Sequence, residues 1–172
     1  MMNTIRRSKA QMLLLLCSLG GVGIAIYLTA VHYENVPLVC SDSGLVDCAR
    51  VLSSPFSVVP GTSIPITVPG LAWSLLSAAL SIWALYRGTE RRWIPIAQFI
   101  WALVGMLTVL YLVYVEIVRL HTICAWCTAL HVLILLMFLV TIVQLQIRHT
   151  GAAPELETED EEPVITSPSH SK

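Results

Sequence analysis

Two cysteines three residues apart, Cys124 and Cys127, stand where a polar junction gives way to the apolar run from Ala129 to Val143. On a helix, positions three apart share a face, so both sulfurs point the same way. In the first turns of that helix they meet unsatisfied backbone N–H groups and the positive end of the helix dipole, which favour a thiolate. A second pair, Cys40 and Cys48, lies in the mixed polar connection from His32 to Thr67, with Gly44 between its members. A thiolate attacks a disulfide through a mixed-disulfide intermediate, so one pair can hand electrons to the other. Such a relay needs a two-electron sink. At the mouth of a membrane helix, a lipid-soluble quinone is the acceptor within reach.

Other uses of these cysteines fit less well. Attachment of c-type haem needs a histidine directly after the second cysteine, and Thr128 stands there. A four-cysteine zinc site usually draws on two short-spaced pairs, whereas Cys40 and Cys48 are eight apart; no metal site is expected. Purely structural disulfides are the plain alternative. A helical Cys-x-x-Cys is an odd staple, because so short a loop restrains the unfolded chain little.

The elements that must position these sulfurs follow from composition. Of 172 residues, 56% are hydrophobic and 12% charged, against about 25% charged in average soluble domains. This is the composition of a membrane protein with one domain's worth of chain. Four apolar runs are long enough to span a bilayer: Met12–Val31, Leu71–Tyr86 (or from Val68, with Pro69 in its first turn), Ile94–Val118 and Ile123–Ile147. The first has a basic start, but it is long, and Leu28 and Ala30 before Val31 make a poor small-x-small cleavage site, so it reads as an uncleaved span. Gly20, Gly21 and Gly23 within it suggest close helix packing. Asp47 to Phe56 reads as a short helix, and the proline-broken stretch Pro60–Pro69 as a lid over the membrane face. The expected fold is an all-α membrane protein, a four-transmembrane-helix bundle with an extracytoplasmic loop and short-helix cap. Residues 1–149 form the redox domain. Residues 150–172, which hold six of the eleven acids, read as a disordered cytoplasmic tail.

Orientation follows from the basic residues. Arg6, Arg7, Lys9, Arg87, Arg91, Arg92 and Arg148 gather on one side, and only Arg50 and Arg119 on the other. Both termini are then cytoplasmic, and Cys40, Cys48, Cys124 and Cys127 face outward, on the oxidising side. Cys17 lies apart from them as a packing residue.

The series Cys40, Cys48, Ala49-Arg50-Val51-Leu52-Ser53-Ser54, then Cys124-Ala125-Trp126-Cys127 at the start of the last of four spans, resembles the vitamin K epoxide reductase family over about Met12 to Ile147. The quinone-linked disulfide-bond protein B group carries its Cys-x-x-Cys in the first outer loop, the reverse order. The resemblance implies a helix bundle around a quinone of menaquinone or ubiquinone type. Cys127 would lie next to the quinone, with Cys124 its resolving partner, fed by Cys40 and Cys48. Ser54 matches the family's loop serine, a contact to the quinone oxygen or an aid to disulfide exchange; a local turn or cap bond is its plain reading. The vertebrate enzymes carry a tyrosine where this chain has His131, and a loop asparagine that Asn3 and Asn35 do not supply. Both departures speak against vitamin K epoxide as substrate and fit the bacterial branch, whose members are similar to disulfide-forming catalysts.

The resemblance therefore implies a thiol-disulfide oxidoreductase of the bacterial inner membrane. It would exchange electrons with the quinone pool and with a separate extracytoplasmic thioredoxin-fold partner, similar to disulfide-bond protein A. No nucleic acid is expected. A vitamin K epoxide or quinone reductase proper, and a non-catalytic four-span protein, are the alternatives.

His131 sits four after Cys127 on the same helical face. It reads either as a hydrogen-bond donor or proton relay to a reduced quinone, or as an interior histidine bonded to a neighbouring helix. His121 would sit beside Cys124, Glu116 and Arg119 would form an interfacial ion pair, and Trp73, Trp101 and Trp126 would be anchors.

Overall fold

The computed structural model describes residues 2–34, 37–40, 44–87 and 93–150. The expected tail and the basic turn at Arg91 and Arg92 lie outside them. Without water, a backbone must satisfy its own N–H and C=O groups, and apolar runs answer by forming helices. There are four long ones: α1 (Met2–Glu34), α3 (Thr67–Arg87), α4 (Trp93–Tyr114) and α5 (Ala125–Thr150). A short α2 (Cys48–Leu52) lies between the first two, and a π-helical turn, Val115–Leu120, extends α4. Among the described residues, four stretches are long and apolar enough to cross a membrane: Ser8–Glu34, Thr67–Arg87, Trp93–Leu120 and Ala125–Ile147. The four expected spans are all present. Helix α1 starts earlier than its apolar run, and Pro69 falls in the first turn of α3, where a missing N–H costs nothing.

The long helices close into a ring. Helix α1 packs broadly against α3 and α5, and α4 against α5 and more lightly against α3. A side chain on Gly21 would meet Ser74 Oγ at 2.9 Å, and one on Gly105 would meet the Trp73 ring at 2.5 Å, so α3 is approached closely from both neighbours. Gly20 is held only by Leu133, and nothing lies within 4 Å of a side chain on Gly23. The expectation for Gly23 is thus corrected: it packs against nothing described. Trp73 and Trp101 stack at 6.2 Å between centroids, and Leu14, Cys17 and Met137 form the core beside them. Leu16, Ile100, Leu107 and Tyr111 point outward, as lipid-facing residues do.

Three glutamines from three helices tie one end of the ring together. Gln11 and Gln98 exchange amide hydrogen bonds of 2.9 and 3.0 Å, and Gln11 Nε2 also donates to Gln144 Oε1 at 3.1 Å. Gln11 is wholly buried. Antiparallel topology puts this knot at the end opposite the four cysteines.

Between α1 and α3 the chain builds the cap. Asp47 caps α2 by accepting from Arg50 N at 2.9 Å. The single helix expected over Asp47–Phe56 is two pieces. Pro55 has no N–H to continue α2 and instead begins a 3-10 turn, Pro55–Ser57. A tight hairpin follows, with Val59 N donating to Ile64 O at 2.8 Å and Gly61 at φ +80°.

Candidate redox site

Both cysteine pairs arrive at the same end of the bundle. Cys40 and Cys48 form a disulfide with Cα atoms 6.2 Å apart. Cys48 is fully buried at the start of α2, whereas Cys40 is half-buried. Cys124 is also fully buried, one residue before α5, and Cys127 is half-buried in its first turn.

The two pairs are stitched together by backbone. Val46 and Ile123 form an isolated parallel bridge. Asp47 N donates to Ile123 O at 3.1 Å, and Ile123 N to Leu45 O at 2.8 Å. The buried Thr122 adds its hydroxyl to Leu45 O at 3.0 Å. The residues leading into Cys48 are thereby paired with the residues leading into Cys124. On the other side of the loop, Trp126 Nε1 donates to Val39 O at 2.8 Å, and Val39 N donates to the Tyr27 hydroxyl at 2.9 Å. Trp126 and Tyr27 pack against each other at 5.0 Å. The tryptophan between the two α5 cysteines therefore clamps the chain next to Cys40.

Cys124 sits at the N-cap of α5. Its Sγ accepts from Cys127 N–H at 3.3 Å, and from Cys127 Sγ at 2.7 Å. The Cys127 thiol hydrogen bond holds Cys124 below the usual thiol range, aided by the N–H groups of Cys127 and Trp126 and opposed by burial and by the Glu116 carboxylate. A sulfur in the capping position takes up an orphan N–H that a Ser or Asp oxygen would otherwise take. The dithiol is thus arranged with Cys124 as the more acidic sulfur and Cys127 as the donor.

Below Cys127 opens a cavity of about 440 Å³, counted with its open mouth. Ser54 from the cap, Thr67 from α3, Glu116 from the π-turn, and Cys127 and His131 from α5 line it, among Phe56, Leu112, Val115 and Leu120. Pockets for small ligands are mostly apolar with a few converging polar groups. A quinone ring suits such a lining. His131 is buried and makes no hydrogen bond to any described residue, so it is not the histidine bonded to a neighbouring helix. Ser54 Oγ donates to Val51 O at 2.7 Å. That local bond was its plain reading, and it leaves the oxygen able only to accept from the cavity.

Two expectations change. His121 is exposed, sits in the left-handed region at φ 53° as the cap of the π-turn, and is not among the groups acting on Cys124. Glu116 and Arg119 do not pair: Glu116 is buried, while Arg119 is exposed and lies over the Phe56 ring at 5.8 Å. The ion-pair expectation assumed an α-helical register, in which residues three apart share a face. The wider π-turn, a feature common at functional sites, sends them apart. Glu116 is then a cavity residue that spacing misread. The signal that could have found it is its charge inside an apolar span, where ionisable groups are expensive.

The family model described as the vitamin K epoxide reductase family matches residues 12–142. No curated protein matches the chain. The chain belongs to the vitamin K epoxide reductase family, a family of membrane oxidoreductases linked to quinones and to thioredoxin-fold partners, and it is an integral multi-pass membrane protein.

Proposed function

We propose that this protein oxidises a dithiol in an extracytoplasmic thioredoxin-fold partner and passes the electron pair to a membrane quinone. The observation that carries the reading is a single junction. A thiol pair 2.7 Å apart has an apolar cavity on the Cys127 side and a disulfide-bearing loop paired to its Cys124 side.

The order of exchange follows from exposure. A partner thiolate reaches the half-buried Cys40 before the fully buried Cys48. Attack at Cys40 releases Cys48 as the leaving thiolate, and the partner's second thiol frees Cys40 while its own disulfide forms. Cys48 then attacks Cys124 of an oxidised Cys124–Cys127 pair, and Cys40 completes the exchange. The outcome is one disulfide regained in the loop and one dithiol gained at α5. A bound quinone supplies the acceptor for two electrons and two protons. Cys127 and His131 would flank it, Ser54 would accept a hydrogen bond from its reduced form, and Phe56, Leu112 and Leu120 would exclude water from its ring.

Residues 1–149 form the redox domain in this reading. The basic ends of the helices put both termini in the cytoplasm of a bacterial cell and the four cysteines outside its inner membrane. The test is quinone reduction by a reduced thioredoxin-fold protein in vesicles. Cys127→Ala abolishes it if the mechanism holds, and undiminished turnover rules the mechanism out.

A further inference from the structure

Glu116 is the one charged group at this cavity that the exchange scheme leaves unused. It is only 6% exposed and lies where the π-turn ends the third span. Among the described residues it has no cationic partner. The backbone N–H of Cys124 acts on its carboxyl, and its charge acts on the thiols of both Cys124 and Cys127. It also lines the cavity beside Cys127 and His131. A buried carboxyl without a counter-charge is costly to retain at membrane depth, and such groups mark proton or ion paths.

Resting on the proposed function, we propose that Glu116 carries a proton between the thiol pair and the cavity. The balance requires a carrier. When Cys124 and Cys127 are oxidised, two S–H bonds break, one S–S bond forms, and two electrons leave for the quinone. The two protons must end on the two oxygens of the reduced product. Cys127 Sγ already shares its proton with Cys124 Sγ, which leaves the Cys124 proton to be taken elsewhere. The Glu116 carboxylate accepts that proton as the Cys124 thiolate forms, and releases it into the cavity, returning to the carboxylate in each turnover. His131 is the other titratable group facing it from α5, together with the two thiols. On its own turn, Arg119 is directed away over Phe56. The cap and α3 contribute only Ser54, Ser57 and Thr67 as polar groups to the cavity. The π-turn is what holds the carboxyl here: its closing N–H bonds, from His121 and Thr122, both fall on the Glu116 carbonyl.

Glu116→Gln separates proton carriage from positioning, because the amide keeps the size and shape of the carboxyl but cannot carry the proton. General acid–base groups contribute roughly 10²–10⁴-fold. The expected result is at least a hundredfold loss of quinone reduction with the pH dependence flattened, while disulfide exchange between Cys40/Cys48 and Cys124/Cys127 is retained. A second readout needs no quinone. The infrared difference spectrum between the reduced and oxidised Cys124/Cys127 states should contain a carboxylic-acid carbonyl band in the unsubstituted protein, lost in Glu116→Gln. Wild-type rate and pH profile in the variant overturn the proposal, as does a difference spectrum of the unsubstituted protein without that band. Cys127→Ala measured alongside keeps the two ideas apart. Equal turnover in Cys127→Ala and unsubstituted protein sinks the quinone mechanism itself, whereas loss in Cys127→Ala with full activity in Glu116→Gln sinks only the role of Glu116.

Discussion

Trp126→Phe tests whether the clamp on the loop governs access to Cys40. Phenylalanine keeps an aromatic ring against Tyr27 but removes the 2.8 Å bond from Nε1 to Val39 O. Val39 is 74% exposed, so water can replace the lost donor and no buried carbonyl is stranded. The net value of such a bond is about 1 kcal/mol. With RT near 0.6 kcal/mol, that raises the undocked population of the loop about fivefold. If attack on the Cys40–Cys48 disulfide passes through the undocked loop, its second-order rate with a small dithiol should rise by the same factor. The assay is the rate at which a reductant opens this disulfide in detergent-solubilised protein, read by thiol labelling. Tyr27→Phe, which removes the acceptor for Val39 N, should act in the same direction. A rate within twofold of the unsubstituted protein in both variants would refute the reasoning, because the docked loop would then already be the reactive one.

Two further outcomes follow from the same structure. Cys124 titrates below an ordinary thiol chiefly because Cys127 donates to it, so Cys127→Ala should move the pH midpoint of Cys124 alkylation upward. A depressed thiol contributes stability that is full above its unfolded value and fades as pH falls through the folded one; the variant should lose that contribution at a higher pH. Gln11→Leu removes three amide hydrogen bonds and strands Gln98 and Gln144 among helices. At about 0.6 kcal/mol for an average interhelical bond in a membrane protein, the cost is about 2 kcal/mol, measurable as a lower midpoint of unfolding in denaturing detergent; an unchanged midpoint contradicts it.

The four spans and the shared end of the two cysteine pairs were legible because apolar length and chain alternation determine both. Ser54, Cys127 and His131 were expected at one site, and they line one cavity. What sequence did not reveal depends on register or on long-range pairing. Glu116 was matched with Arg119 because three-residue spacing implies a shared face in an α-helix, and no local pattern announces a π-turn. The glutamine knot was invisible because Gln11, Gln98 and Gln144 are far apart in the chain, and each disappears into the average of an apolar run. The bond of Trp126 to Val39 O was invisible for a similar reason: its partner is 87 residues away. The cap broke at Pro55 where a single helix was expected, although the missing N–H of proline was there to be read.

The pairing of Val46 with Ile123 has a consequence for how this fold tolerates change. Cys48 opens α2 two residues after this bridge, so a slip of one residue would carry it out of its place beside α5. An insertion between Val46 and Cys48 would therefore uncouple the loop from α5 while leaving every sulfur in the protein. By contrast, the hydrogen bonds of the bridge are made by main chain, with the Thr122 hydroxyl added at Leu45 O. The length of this short segment, more than its composition, is what inheritance must preserve.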